Sequence, residues 1–279
     1  MSTPASPTFE KPVLLRFHYA EPGRGSGPIT YSFAHPTPQQ AIGEIHPLEE
    51  PPSSPPVPPD QGLEVLFIPA AFRDDSRWKE GTREWLMAAR GSAETLAVRA
   101  GELYAQWRPA RAVVIAPAHG ALAAIESVVD YSYHEAALQQ LEATIAGSWS
   151  AAEADIPLAY AITRRDLEND RQIGQRMRGV LQSRLNLGRL EPRLLRPAPR
   201  LPPAARDLGE ALREAALCED RVETADGQIE AQEYIYELTS QRIGEHRHAR
   251  QGFILETIII ILLTVEVVLM IGAILLGLE

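Results

Sequence analysis

The chain has few of the residues that cross-linking and redox chemistry need. It has one cysteine, Cys218, among 279 residues, which excludes an internal disulfide and a CxxC metal or redox site. Aromatic residues make up 6%, and lysine occurs only at Lys11 and Lys79. With 37 acidic against 27 basic residues, the net charge of −10 argues against nucleic-acid binding by the chain as a whole. The hydrophobic share of 45% is typical of a chain with a buried core, which excludes disorder or a fibre for the whole chain.

The first 20 residues contain no apolar run of the length that a signal peptide needs, so none is predicted. The long apolar run lies instead at residues 253–278, FILETIIIILLTVEVVLMIGAILLGL. As a helix it would span ~39 Å at 1.5 Å per residue, and a bilayer core is ~30 Å thick. The run therefore predicts a membrane-spanning helix. The alternative is an apolar helix packed inside a large soluble domain.

Basic residues cluster just before this run and none follows it; they are Arg242, His246, Arg247, His248 and Arg250. Because positive residues stay on the cytoplasmic side, we expect a single-pass, tail-anchored protein with a cytoplasmic N-terminus, inserted after synthesis, in a bacterial inner membrane. The two histidines lie at i and i+2, about 200° apart on a helix, so they do not share a metal ion. We expect this group to face lipid headgroups, and we predict no metal and no cofactor.

Glu266 lies in the middle of the run, where an ionised side chain costs about 2.5–3.5 kcal/mol on insertion scales. Two hypotheses remain open: Glu266 drives self-association or docking to another membrane protein, or it is protonated and tolerated. Ala273 and Gly277 form a small-xxx-small pair that permits close helix approach. Glu256 is nearer the headgroups and can extend towards them.

Heptad spacing precedes the membrane run. The spacings of 3 and 4 predict a coiled-coil seam, formed by Val222, Ala225, Ile229, Gln232 and Tyr236 and continued after Thr239 by Ile243. Residues 206–217 show a similar apolar stripe, and a short link around Cys218 leads to residues 221–250. We predict a helical hairpin or one broken helix that continues into the membrane.

The C-terminal third resembles a known family in three motifs: His246-Arg247-His248, Leu255-Glu256 and Val265-Glu266-Val267, with a further similarity at residues 219–223. The family is the one named for proteins required for meiotic nuclear division, of which this chain would be a divergent bacterial-type member. Glu245 stands where the family has Asn, and Thr257 where it has Trp. The resemblance implies a membrane-anchored organiser with an α/β body and a paired-helix region. Its eukaryotic relatives include a mitochondrial inner-membrane protein that supports translation, and no enzymatic activity is established for the family.

Residues 1–62 hold 14 of the 23 prolines, and the run at 51–59 is typical of a stiff polyproline spacer or, alternatively, an SH3-like ligand. Four short strands are predicted, at 13–19, 29–33, 63–69 and 112–116. A helix capped at Asp75 or Ser76 is predicted to run to about Trp107, because the apolar residues between them recur mostly at helical spacings. Another amphipathic helix is predicted at 131–145.

His119 follows the fourth strand, and His134 lies on the next helix. A histidine at a strand end suits acid–base work, although no nucleophile motif accompanies it. The sequence leaves open a catalytic site near this pair or a satisfied loop histidine at position 119.

Ten arginines and four acids lie between residues 164 and 200, in a segment where a helix is predicted from a cap at 163–166 to about Leu187. The basic strip that we single out comprises Arg164, Arg165, Arg171, Arg176, Arg178 and Arg184. Its charge predicts contact with anionic lipid, contact with RNA or a ribosome, or a solvated or internally paired face. No aromatic residue interleaves the arginines, which weakens the case for single-stranded RNA.

Together these patterns predict an α+β protein with a small mixed sheet, followed by a helical hairpin and a single C-terminal transmembrane helix. The predicted divisions are a Pro-rich segment at 1–62, an α/β body at 63–200, the hairpin at 201–251 and the anchor at 252–279. We expect a non-enzymatic scaffold that contacts membrane lipid and forms a homo-oligomer or binds a partner membrane protein. The alternatives are a membrane-tethered enzyme and a tether for translation machinery.

Overall fold

The computed structural model describes residues 9–52, 62–88, 94–160 and 170–275. Its strands are β1 (Val13–Ala20), β2 (Ile29–Phe33), β3 (Gln39–Pro47), β4 (Gly62–Pro69), β5 (Leu96–Ala100), β6 (Leu103–Arg108) and β7 (Arg111–Ala116). Its helices are α1 (Ser76–Met87), α2 (Ala121–Tyr160), α3 (Asp170–Leu194), α4 (Pro203–Ala215) and α5 (Cys218–Leu275). The protein is α+β, as the sequence predicts.

The chain divides into two compact units. The first unit comprises residues 1–144 and 183–227, and the second comprises residues 145–182 and 228–279. The seven strands lie in the first unit, in one mixed sheet of order β2-β3-β1-β4-β7-β6-β5. Neighbouring strands are antiparallel except β4 and β7, which run parallel with Val65 opposite Ala112. The sheet therefore joins strands from residues 1–62 to those of the body.

Strand β4 lies at the centre because both of its faces are apolar, as in strands that are covered on both sides. Val65 and Phe67 belong to the larger core, which includes the first turns of α2 and much of α4. Leu66 and Ile68 point to the opposite face, where they pack with Trp78 and Trp85 of α1. The sheet is thus covered by α1 on one side and by α2 and α4 on the other.

The predicted helix from residue 75 to Trp107 is wrong in its second half. Helix α1 begins after Asp75, whose carboxylate accepts a hydrogen bond from the backbone N–H of Arg77 at 2.9 Å, but α1 ends at Met87. The antiparallel pair β5–β6 follows, joined through Gly101, which has a φ of 59°. Leu103 and Trp107 fit a period of two as well as a helical spacing, because a four-residue interval is compatible with both.

The four predicted strands are confirmed as β1, β2, β4 and β7, and the predicted helix at 131–145 lies within α2. Strand β3 was not predicted, because its sequence, QQAIGEIHP, is largely polar at its ends and has a central glycine. The Pro-rich run lies partly, and the cap at 163–166 wholly, outside the described residues.

Helices α4 and α5 follow each other with only Ala216 and Leu217 between them, and Leu217 has a φ of 51°. Pro203 begins α4 at a position where its missing N–H leaves no bond unmade. Acidic Glu219 and Asp220 lie in the first turn of α5, where they complement the helix dipole. From there α5 continues without a break into the long apolar run.

Candidate membrane anchor and buried ionic clusters

The end of α5 is apolar and exposed. Every residue with a described side chain from Phe253 to Met270 is exposed. The best 18-residue window has a mean hydropathy of 2.6 and no buried residue. By length and composition, α5 is the single helix in the described part of the chain that can cross a membrane. Elsewhere apolar side chains of this size lie mostly in the core, so this surface differs from the rest of the molecule.

Glu256 and Glu266 lie on this exposed stretch, and both are themselves exposed. Among the described residues no ion pair or hydrogen bond involves the carboxylate of either. Ala273 belongs to α5, but its side chain is outside the described part, and Gly277 lies beyond it altogether. The side chains one turn before and after Glu266 on α5 are all apolar: Leu262, Leu263, Leu269 and Met270.

The segment just before the apolar stretch is polar. Arg242 forms an ion pair with Glu245 at 2.9 Å, His246 is half-buried, and His248 is exposed. The side chains of Arg247 and Arg250 lie outside the described part. No group of three or more His, Cys, Asp or Glu side chains suitable for a metal ion occurs among the described residues.

The second unit places three helix segments together along the predicted seam. In α5 the buried positions are Ile229, Gln232, Tyr236, Thr239 and Ile243, at alternating spacings of 3 and 4. In α2 they are Ala152, Asp155 and Ala159 after Ile145, and in α3 they are Ile173 and Val180. The predicted stripe on α5 is thus buried against two further helices with compatible spacing.

Polar pairs interrupt this apolar seam. Ser148 Oγ lies 3.0 Å from Gln232 Oε1, and Asp155 forms an ion pair with Arg176. Burial, together with the Asp155 carboxylate, raises the pKa of Tyr236. Each of these contacts joins different helices, so they fix which residues of α2, α3 and α5 lie opposite each other.

The basic strip is divided between paired and exposed arginines. Arg176 pairs with Asp155, and Arg184 pairs with Asp226. Arg171 and Arg178 are exposed, whereas Arg164 and Arg165 lie outside the described residues. Two of the four described arginines are thus internally paired, which reduces the charge available to lipid or RNA.

His119 and His134 do not share a site. His119 is exposed in a short 3-10 turn before α2, whereas His134 is buried within α2. His134 is thirteen positions after the first residue of α2, about 20 Å along the helix axis. Of the alternatives that the sequence left open, a site shared by the two histidines does not form, because the helix itself keeps them apart.

His134 instead belongs to a buried ionic cluster. Its Nδ1 lies 2.8 Å from the carbonyl oxygen of Asp130, to which the neutral ring donates. The Asp130 carboxylate accepts from Arg213 at 2.8 Å, and Arg213 also donates to the carbonyls of Gly209 and Arg193. Burial lowers the pKa of His134, although nearby Asp130 opposes the shift. The cluster fastens α4 to α2.

A second cluster fastens α5 to α2. Arg221 donates to both Glu135 and Glu142 at 2.8–3.0 Å. Burial raises the pKa of Glu135, and Arg221 partly offsets that effect. The Cys218 thiol lies 3.9 Å from Glu135 Oε2, and burial raises its pKa to about 11, so it is a poor nucleophile.

Sequence reasoning missed both clusters. The available signal was the set of charged residues inside an otherwise apolar stretch of α2, where Asp130, His134 and Glu135 interrupt small and branched side chains. Charges at core-facing positions indicate buried partners. The identity of those partners depends on how distant helices meet, which the pattern of α2 does not specify.

Comparison with known proteins gives no match, whether to a family model, a curated protein or a solved structure.

Proposed function

We propose that this protein is a membrane-anchored, non-enzymatic scaffold whose body faces the cytoplasm and whose copies associate through the anchor. The observation that carries the proposal is the exposed apolar surface of α5 from Phe253 to Met270. Burying such a surface in lipid removes it from water at a gain of about 25 cal/mol per Å². The motifs at 246–248 and 265–267 support membership of the family named for proteins required for meiotic nuclear division.

The charge distribution supports the orientation. Arg242, Arg247 and Arg250 precede the apolar stretch, and basic residues next to a span stay on the cytoplasmic side. In a bacterium this places the sheet and its helices at the inner face of the inner membrane.

The buried clusters favour a scaffold over an enzyme. Asp130, His134 and Arg213 satisfy one another inside the fold, and Cys218 is buried with a raised pKa. These groups hold helices together, and among the described residues no ion pair or hydrogen bond gives His119 the acid–base partner that the enzyme hypothesis needs. For the alternative of a tether for translation machinery, only Arg171 and Arg178 among the described arginines of the basic strip are exposed.

Membrane extraction tests the anchor. Wild type should remain in the pellet after carbonate washing, whereas Leu262→Arg combined with Val265→Arg should move most of the protein to the supernatant, since each arginine costs about 2.5–3.5 kcal/mol near the bilayer centre. Tyr234→Arg is the matched control: it alters an exposed residue of the same helix outside the span and should stay membrane-bound. Release of the wild-type protein into the supernatant by carbonate would contradict the proposed membrane anchor.

Energy transfer between labelled copies in vesicles tests association. A protonated Glu266 can share a hydrogen bond with a second helix, a contact worth about 1–2 kcal/mol in model peptides. Glu266→Leu should therefore weaken association about tenfold, and Glu256→Leu, nearer the interface, should have little effect. Equal association by wild type and Glu266→Leu would contradict this role.

A further inference from the structure

A cleft of about 680 Å³ lies beside α1 on the face of the sheet opposite α2. Its floor is apolar and comes from strands and helix alike: Ile68, Val113 and Ile115 from β4 and β7, and Trp78 and Leu86 from α1. This volume is in the range of small-molecule sites, which are mostly apolar with a few placed polar groups. The floor alone suits an aliphatic or aromatic group.

The charged residues around this floor are mostly positive. Arg73, Lys79 and Arg83 line the cleft, and Asp74 is the single acidic residue among the lining side chains. Lys79 pairs with Asp74 at 3.2 Å, whereas neither Arg73 nor Arg83 forms an ion pair among the described residues. Two guanidinium groups thus remain for an anion, on a chain whose net charge is −10.

The charged residues of α1 that line the cleft are both basic, and the third basic residue of this helix, Arg77, lies away from the cleft. Lys79, Thr82, Arg83 and Leu86 follow one another at spacings that place them on one side, and all four line the cleft. The acids of the same helix, Glu80 and Glu84, do not line it.

Neutral polar groups also face the cleft. Thr82 is 6% exposed, and its hydroxyl has no hydrogen-bond partner among the described residues, although a buried hydroxyl is usually paired. Tyr104 accepts a hydrogen bond from Gln106 at 2.7 Å, which leaves its own O–H to donate. The Thr82 hydroxyl is thus available to bond a polar atom in the cleft.

Two other clefts in the first unit lack this combination. One of about 460 Å³, next to Tyr133 and Trp107, has no charged lining residue. Another of about 360 Å³, next to Arg213 and Cys218, is lined by four acids and one arginine. Of the three, the cleft beside α1 alone joins an apolar floor to excess positive charge.

We infer that the cleft beside α1 binds an amphiphilic anion, an aliphatic or aromatic group that ends in a carboxylate or a phosphate. The apolar part lies on Trp78, Leu86 and the strand residues, and the anionic end lies between Arg73 and Arg83. Thr82 and Tyr104 donate hydrogen bonds to the ligand's oxygen atoms. This inference does not depend on the proposed membrane role.

Calorimetric titration of the full-length chain in lipid nanodiscs tests it, with empty nanodiscs as the blank. The probes are octanoate and octyl phosphate, with octanamide as the uncharged analogue and inorganic phosphate as the anion without a tail. Both amphiphilic anions should saturate one site, whichever head group binds more tightly, and octanamide and inorganic phosphate should each bind at least about tenfold more weakly.

Substitutions separate the cleft from the rest of the surface. Arg73→Gln combined with Arg83→Gln should weaken binding of both anions at least about tenfold, and Thr82→Val about threefold. Arg77→Gln is the matched control, because Arg77 lies on α1, pairs with Glu50 and does not line the cleft. Circular dichroism checks that each variant is folded.

Three results would overturn the inference: no saturable binding of either anion, octanamide or inorganic phosphate binding as tightly as the amphiphilic anions, or unchanged affinity in the double arginine variant. A loss of affinity in Arg77→Gln equal to that in the double variant would also overturn it, since it would show diffuse charge attraction instead of a site.

Discussion

Single side chains decide how the helices of the first unit are held on its sheet. The Asp130–Arg213 pair is almost wholly buried, with side chains 6% and 5% exposed. A buried ion pair gains little over a well-packed apolar pair, because desolvation of both charges opposes their attraction. Loss of one partner, however, leaves a charge without compensation. We therefore expect the cluster to contribute more to the specificity of helix placement than to the net free energy of folding.

The first prediction concerns this pair. Arg213→Met should lower the free energy of unfolding by about 3–5 kcal/mol, because it leaves the Asp130 carboxylate buried and unpaired. Asp130→Asn added to Arg213→Met should recover part of the loss. Urea unfolding followed by circular dichroism measures both changes.

The control is an exposed pair of the same type. Arg242 and Glu245 are both more than half exposed, so Arg242→Met should change stability by less than about 1 kcal/mol. Similar losses in the two variants would show that the Asp130–Arg213 pair is not buried as described.

The second prediction concerns pH and His134. Burial lowers the pKa of His134 below its ordinary value of 6.5, so the unfolded chain binds a proton there before the folded chain does. Stability therefore falls as the pH drops below about 6.5, by at most about 1.4 kcal/mol per pH unit from this residue. The groups that face His134 are Asp130, Arg213, Arg193, Tyr133 and Phe33.

Unfolding curves of wild type and His134→Gln, from about pH 7 to about pH 5, test this prediction. Wild type should lose stability faster than the variant, because other titrating groups such as Glu135 are common to both. Parallel curves would mean that His134 is protonated equally in the folded and unfolded chain.

At the scale of helices and strands, some local sequence patterns predict the structure correctly and others do not. The stripe on α5 from Val222 to Ile243 could be predicted because a seam repeats its spacing over several turns. The segment after Met87 was wrongly predicted to be helical because Trp85, Leu96, Leu103 and Trp107 fit helical spacings. The features that identify strands there are Gly101 and the alternation of Leu103, Ala105 and Trp107. A short strand offers too few residues to distinguish the two periods.

The third prediction uses two tyrosines of α5 that lie two residues apart. Tyr236 is 1% exposed in the seam, and Tyr234 is 62% exposed. Tyr236→Ala should lower the free energy of unfolding by about 3–5 kcal/mol, since it leaves a large cavity among three helices. Urea unfolding of the chain in nanodiscs gives the value.

Tyr234→Ala is the matched substitution and should change stability by less than about 0.5 kcal/mol. Tyr236→Phe, which keeps the ring, should lie between the two. Equal effects at positions 234 and 236 would contradict the assignment of the seam to this face of α5.

At the scale of the whole molecule, the apolar stretch at the end of α5 is the most predictable part. Its signal is local, because some twenty consecutive apolar residues suffice whatever the rest of the chain does. The strand order β2-β3-β1-β4-β7-β6-β5 is the opposite case. It depends on pairing between residues as distant as Val65 and Ala112, and alternation within a strand does not name its neighbours.

The fourth prediction concerns orientation. Cys218 is the one cysteine of the chain, so Cys218→Ser gives a background without a native thiol. Glu102→Cys in that background places a thiol on the exposed turn between β5 and β6. The proposed orientation places this turn in the cytoplasm, so an impermeant maleimide should label the thiol only after spheroplasts are opened. Full labelling of intact spheroplasts would reverse the proposed orientation.

The unbroken course of α5 has a mechanical consequence. The turns that pack in the seam and the turns that are apolar on all sides belong to one helix, with no loop between Ile243 and Phe253. Bilayers of different thickness change the tilt of a spanning helix, and a helix without a loop transmits that tilt to its earlier turns except where it bends. Gly244 and Gly252 have open space around them, so α5 resists bending least at these two positions. A change in bilayer thickness would therefore bend α5 at these two glycines before it disturbed the packing of the seam.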